Sequence, residues 1–256
     1  MDFSVLGIEV ESDEDEADHV LRAFLPASGT GHELRSALLA AGAASVEDVP
    51  VPEVDWVDSF RETFRAFATG AFFLCPAWDP SAAEARRQLR GLVVEPGAAF
   101  GTGTHETTQL CLAALDSILA SRPAARVLDL GTGSGILACA AAKLGARAVV
   151  AVDSDPVASV CAKRHADLNG VRLDVLCGDL CRPLSARFEV VVANLQTSLL
   201  VERSREIAAA AAPGGHLLLS GCLVSDLDAL LSHYAPSGSI AVRTEGEWAL
   251  LEVRIP

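Results

Sequence analysis

The chain has 256 residues, half of them apolar and only 5% aromatic, which suits one large α/β domain with a small appendage and excludes a disordered composition. Its 34 acidic against 20 basic residues give a formal net charge of −14. That balance argues against direct binding to nucleic-acid phosphates as the main activity, and favours basic partners or plain solubility.

The opening reads as two strands, "VLGIEV" and "HVLRAFLP", separated by the acidic turn "ESDEDEAD". Thr30 and Glu33 have capping-box spacing ahead of "LRSALLAAG", a helix that Gly42 stops. "ASVEDVPV" then returns as a strand, so residues 1–52 are expected to form a small β-β-α-β module. Pro50 and Pro52 mark a boundary. In residues 53–68, Trp56, Phe60, Phe64 and Phe67 fall at helical spacing, the pattern of a packing helix that links the module to the remainder, 69–256. "AFFLCPAW" and "LRGLVVEP" follow as strands.

From residue 126 strands and helices alternate: "RVLDL", a helix over 134–144, "AVVAVD", a helix over 156–169, "RLDVLCG", "FEVVVANL", the helix "SLLVERSREIAAAAA", "GHLLLSG" and the helix "SDLDALLSHY". That alternation means βαβ units and a mostly parallel sheet covered on both faces. "SIAVRTEGEWALLEVRIP" ends the chain as an antiparallel hairpin at the sheet edge.

Seven cysteines (75, 111, 139, 161, 177, 181 and 222) are odd in number and never in C-x-x-C spacing. They read as reduced thiols of a cytoplasmic protein, and no metal site is expected. The first residues lack the basic start and apolar run of a signal peptide, and no stretch approaches the ~20 apolar residues of a membrane span.

Two Gly-Thr-Gly runs carry the chemistry. In the second, Asp129 ends a strand, and Gly131, Gly133 and Gly135 form the turn into a helix, where a ligand can approach the backbone beyond the carboxyl ends of the strands. A dinucleotide frame, "GSGILA", starts two residues late. Asp129 also puts an acid where a pyrophosphate-binding turn would not want one, and suits instead a cationic group such as an α-ammonium. Asp153 ends the next strand, 22 residues after Gly131, placed for two ribose hydroxyls. Asp155 and Pro156 read as a helix cap. Asp179 follows the third strand and could accept from an adenine amine or be a surface turn residue. Asn194 closes "VVVAN" and is either a site residue or a turn residue.

The ordered set resembles a class I S-adenosylmethionine-dependent methyltransferase. The first run, within "EPGAAFGTGTHETT", resembles the ribosomal protein L11 methyltransferase family (PrmA) more specifically, a likeness that extends through "VLDLGTGSGILACAAAKLGA", "AVDSDPVA", "VVVANL" and the 55–78 region. The resemblance implies a Rossmann-like α/β domain with a seven-stranded sheet, and a Gly-Thr-Gly loop and helix folding over the cofactor, with Phe100, Gly101, Thr102 and Thr108 near it. Thr104 could instead be only a helix cap, and His105 is read as structural rather than as a base. The implied reaction is transfer of methyl groups from S-adenosylmethionine to lysine ε-amines or the amino-terminal α-amine of ribosomal protein L11, with Asn194 orienting the amine. No obligatory base, direct nucleic-acid contact or membrane contact is implied, and a monomer is expected. The chain departs from the family in a shortened amino-terminal module, in Thr132 where Cys is common, and in Gln196 on the acceptor side. These departures keep open another protein lysine or a small molecule as acceptor, or a non-catalytic adenosylmethionine-binding protein; a nicotinamide oxidoreductase is disfavoured by Asp129 and the shifted frame.

Overall fold

The structure is a computed structural model that describes residues 7–12, 19–24, 31–49, 64–95, 101–122, 124–182, 184 and 186–256. The chain divides into two units, Met1–Val54 and Asp55–Pro256.

In the first unit β1 (Gly7–Ser12) and β2 (His19–Phe24) pair antiparallel, from Gly7 opposite Phe24 to Ser12 opposite His19. Helix α1 (Gly31–Ala40) follows, and the chain leaves it through Gly42 at φ +104°. Thr30, the expected cap, lies outside the described residues. The strand expected from residue 44 does not form over 44–49, which carry no regular structure. Val49 is 75% exposed, and an alternating segment with no sheet face to cover gains nothing by extending.

The second unit opens with Phe64 buried and in edge-to-face contact with Phe67, ring centroids 5.9 Å apart. Of the helix expected over 53–68, residues 53–63 lie outside the described ones. Its described end is not helical: 64–66 are irregular and Phe67 begins a strand. The paired rings are therefore joined by extended chain rather than by a helical stripe. Strand β3 (Phe67–Thr69) pairs antiparallel with β4 (Phe72–Pro76), which pairs parallel with β5 (Gly91–Val94). The crossover holds α2 (Ala82–Arg87), a short helix the apolar pattern does not announce.

The main sheet follows α3 (Glu106–Ser121). Its elements are β6 (Arg126–Leu130), α4 (Ile136–Lys143), β7 (Ala148–Asp153), α5 (Pro156–Asn169), β8 (Asp174–Cys177), β9 (Phe188–Asn194), α6 (Thr197–Glu202), α7 (Ser204–Ala210), β10 (Ala211–Leu223), α8 (Leu227–Tyr234), β11 (Ser239–Glu245) and β12 (Trp248–Arg254). The sheet order is β11-β12-β10-β9-β6-β7-β8, with β12 antiparallel to both of its neighbours and the other pairings parallel. Along β9, Val190 and Val192 face one apolar core with α3 and α4, while Val191 and Ala193 face the other with α6, α7 and α8. This two-residue alternation explains why the central strands are apolar throughout.

The single helix expected across "SLLVERSREIAAAAA" is broken at Arg203, which has φ −101° and ψ 15° and separates α6 from α7. It also ends early, because Ala211 is already extended and pairs with Phe188, and Ala212 precedes a proline, which disfavours helix. On the other side of the unit, Asn169 at the end of α5 accepts from Val93 N and donates to Val93 O, both at 2.8 Å. His165 Nε2 accepts from Glu95 N at 2.8 Å. This buried clamp fixes β5 to α5, and with it the entry to the first glycine run.

Candidate active site

Strands β6, β7 and β8 run outward in one direction and β9 returns to the other flank of β6. That reversal opens a crevice at the carboxyl ends of the strands, the general ligand position of such sheets. A cavity of about 720 Å³ lies there, within the ~300–1,000 Å³ usual for small-molecule sites. Gly131, Gly133, Asp153, Asp179 and Asn194 all line it.

Its floor is the turn after β6. Gly131 N and Thr132 N both donate to Val152 O, at 2.8 and 3.0 Å, which pins the turn to β7. Gly131 has φ +66°, a conformation that residues with a β-carbon rarely adopt, and a β-carbon there would stand 2.2 Å from Leu195 Cδ2, which would have to move. Gly133 N donates to Asp153 Oδ2 at 2.8 Å and Asp155 N to Asp153 Oδ1 at 3.0 Å. Each oxygen of Asp153 thus has one backbone donor and keeps a lone pair for a ligand hydroxyl. Asp155 caps α5 through Val157 N.

Asp129 and Gly135 do not line the cavity. The Asp129 carboxylate is buried, and its Oδ2 accepts from Thr132 Oγ1 at 2.6 Å and Ala138 N at 3.2 Å. Burial pushes its pKa up to about 6, against the pull of those two donors. It braces the turn and the start of α4 from beneath. Gly135 is the residue before α4, and a β-carbon there would lie 2.8 Å from Ala162 Cα, so it serves the close packing of α4 on α5.

The first run lies against the second. Ser134 Oγ donates to Gly101 O at 2.6 Å, a direct bond between the two Gly-Thr-Gly stretches. Phe100 lies outside the described residues. Thr102 Oγ1 is 3.1 Å from Thr104 Oγ1, and neither residue lines the cavity. Thr108 does not line it either and is buried; its neighbour Thr107 takes that place. Successive helical residues point about 100° apart, so one of the two can face the cavity. The cap of α3 is His105, whose Nδ1 accepts from Thr107 N at 3.3 Å, rather than Thr104.

Asn194 joins two neighbouring side chains at the start of α3 to form the far wall. Asn194 Nδ2 donates to Thr107 Oγ1 at 3.2 Å, and Thr107 Oγ1 lies 2.9 Å from His105 Nδ1. The directions are consistent when the hydroxyl donates to the imidazole, which places the ring proton on Nε2. The His105 ring meets Trp248 edge-on, centroids 4.7 Å apart. Thr107, Trp248, Leu195 and Gly221 were not marked by local sequence. Trp248 enters because β12 runs antiparallel to β10, and Gly221 sits at the bulge of β10 between Ser220 and Cys222. Asp179, by contrast, is ion-paired, to Arg203 at 2.9 Å and Arg182 at 3.2 Å.

Among the described residues no three His, Cys, Asp or Glu side chains converge as a metal site, and no helix is long and apolar enough to cross a membrane.

This sheet order, with a glycine turn after the central strand and acids after the next two, defines the class I methyltransferase fold. The Thermus thermophilus 16S rRNA methyltransferase solved with AdoMet and guanosine shares it at a TM-score of 0.54 and 23% identity, over 62% of this chain and 45% of that one. The chain belongs to the family described as ribosomal protein L11 methyltransferase (PrmA), which it matches over residues 9–255. It is 42% identical over 215 residues to the ribosomal protein L11 methyltransferase of Geobacter sulfurreducens, spanning 80% of this chain and 70% of that protein. It is 36% identical over 250 residues to that of Pelotomaculum thermopropionicum, spanning 92% and 79%. The ribosomal protein L11 methylase structure from Lactobacillus delbrueckii subsp. bulgaricus matches it with a TM-score of 0.67 and 27% identity, over 75% of this chain and 99% of that one.

Proposed function

We propose that the chain is an S-adenosylmethionine-dependent protein N-methyltransferase acting on ribosomal protein L11, at lysine ε-amines, the amino-terminal α-amine, or both. The cavity fits the cofactor: a glycine floor at Gly131 and Gly133, an acceptor pair at Asp153, and a further carboxylate at Asp179. When bound, the cofactor supplies an electrophilic methyl group on a cationic sulfur. In this reading Asp153 accepts from the ribose hydroxyls, Asp179 from the purine amine, and Asp129 acts from beneath by holding the turn through Thr132. The Gly101 stretch, tied to Ser134, extends the cradle from the other side, with Thr107 at the cavity wall.

The observation that carries the acceptor side is the Asn194–Thr107–His105 chain. By committing Nδ2 to Thr107, it fixes which end of the Asn194 amide is the oxygen. Oδ1 can then accept an N–H of an incoming amine and hold its lone pair in one direction. A free lysine has a pKa of about 10.4 and reacts only when neutral. Enclosure by Trp248, Leu195 and Leu199 disfavours the ammonium form and lowers that pKa. His105 Nδ1 is engaged with Thr107, so the ring is a wall and an orienting group in this reading. A basic substrate protein complements the net charge of −14. We further infer a cytoplasmic monomer without nucleic-acid or membrane contact, in which residues 1–52 serve substrate recognition.

Incubation with labelled S-adenosylmethionine and separately purified ribosomal proteins tests the proposal, with methyl groups counted by mass on the labelled protein. Label on L11 is expected, and an Asn194→Ala variant should lose at least tenfold in rate while still binding cofactor. Cofactor binding without any transfer would overturn the enzyme reading, and full activity in Asn194→Ala would remove that residue from the acceptor site.

A further inference from the structure

The break between α6 and α7 brings a guanidinium to Asp179 on the cavity wall. Arg203, its side chain 16% exposed, reaches Asp179 Oδ1 with Nη1 at 2.9 Å and Glu206 Oε2 with Nε at 2.7 Å. Glu206 Oε1 in turn accepts from Cys181 N at 3.2 Å. The loop after β8 is therefore held twice, at Asp179 through Arg203 and at Cys181 through Glu206. Arg182 also touches Asp179, at Oδ2 and 3.2 Å, but is 72% exposed, the kind of contact that contributes little. Of the two arginines, Arg203 is the one held in place, since Glu206 engages the other edge of its fork.

An unrestrained turn carboxylate on the cavity rim rotates about two side-chain bonds and is free to turn to solvent. With one oxygen occupied by a fixed guanidinium, the carboxylate plane is set and its remaining lone pairs point in limited directions. A carboxylate accepts hydrogen bonds and does not donate them. It then welcomes a 6-amino group and opposes a 6-oxo group.

We propose that Arg203 is a positioning residue that aims Asp179 at the purine amine of the cofactor, and so contributes to the discrimination of adenosyl from inosyl ligands. This rests on the assignment of Asp179 to the purine amine. It is independent of the acceptor, because Arg203 bonds to Asp179 and Glu206 and not to the Asn194–Thr107 pair.

The test is calorimetric binding of S-adenosylhomocysteine and S-inosylhomocysteine to the full chain, which needs no turnover. The wild type should prefer the adenosyl compound by about tenfold or more, the effect of one hydrogen bond to a charged acceptor. Arg203→Met should weaken the adenosyl compound about tenfold and the inosyl compound less than twofold, so that the preference collapses. In turnover, the KM for S-adenosylmethionine should rise while kcat at saturation holds. If Arg203→Met does not fold, Arg203→Lys keeps the charge without the fork and should lower the preference about threefold. An unchanged preference in the folded variant, or equal weakening of both compounds, overturns the proposal. Asp179→Ala separates the two levels. If it keeps the wild-type preference, the Asp179 assignment fails and this inference with it; if it loses the preference while Arg203→Met keeps it, the inference about Arg203 alone fails.

Discussion

Asp129→Asn should make the protein more stable at neutral pH, and the gain should vanish as the pH falls. In the folded chain the Asp129 pKa is raised to about 6 by burial, whereas an unfolded Asp titrates near 3.9. Between those values the folded state binds more protons than the unfolded one, so stability falls as pH rises through the window. Two units correspond to about 3 kcal/mol over the whole interval. The sequence pI of about 4.8 sets a practical lower limit, since solubility is least there. From pH 5.5 to 7.5 the same linkage gives the wild type a loss of about 1 kcal/mol from this group alone. The carboxamide retains an oxygen acceptor for Thr132 and Ala138 but no titration. Urea unfolding of both proteins at four pH values across that range isolates the effect, because the other titrating groups cancel in the difference. The variant should gain about 1 kcal/mol on the wild type over the interval. A difference that stays flat with pH would refute the placement of a charged carboxylate in a dry site beneath the cradle.

Three further outcomes concern the same wall and floor. Gly221→Ala places a β-carbon 2.3 Å from Leu195 O and 2.8 Å from Leu195 C; backbone must shift next to Asn194, so methyl transfer should fall tenfold or more while the apparent affinity for S-adenosylhomocysteine changes less. Ser134→Ala removes the 2.6 Å bond to Gly101 O, a net loss of about 1 kcal/mol that should appear as faster amide exchange over residues 101–105 without change at 131–135. Bound S-adenosylhomocysteine should slow exchange in the first run of the wild type more than in the second.

Much of the methyltransferase domain is legible along the chain because its signals are local. Strands buried on both faces are continuous apolar runs, and "VVVAN" or "AVVAVD" can be little else when helices follow each one. The cradle is equally local, since a turn with Gly131 and Gly133 between a strand and a helix dictates its own backbone. Asp153 and Asn194 could be picked out because a polar residue closing such a run lands in the crevice. The antiparallel hairpin at the carboxyl end follows from a turn-like Glu245-Gly246 between two alternating runs.

The roles of single side chains were less accessible, for geometric reasons. Thr107 and Thr108 are equivalent in composition and separated only by helical phase, which depends on how α3 lies on the sheet. Asp129 reads as a ligand group, and its burial and its bonds to Thr132 and Ala138 are set by α4 folding over it, which the sequence does not announce. Residues 64–68 carry aromatic spacing that fits a helix, yet Phe67 extends to pair with β4. Trp248 reaches the cavity through the β10–β12 pairing, and Arg203 reaches Asp179 on its wall through the α6–α7 break; both are products of packing between distant segments. Periodicity and turn chemistry act over a few residues and are written in order along the chain, so they set the order of elements, the crevice and the glycine cradle. Which side chains face that crevice, and which are braced behind it, depends on helix rotation and strand pairing, where contacts across the whole domain outweigh any local preference.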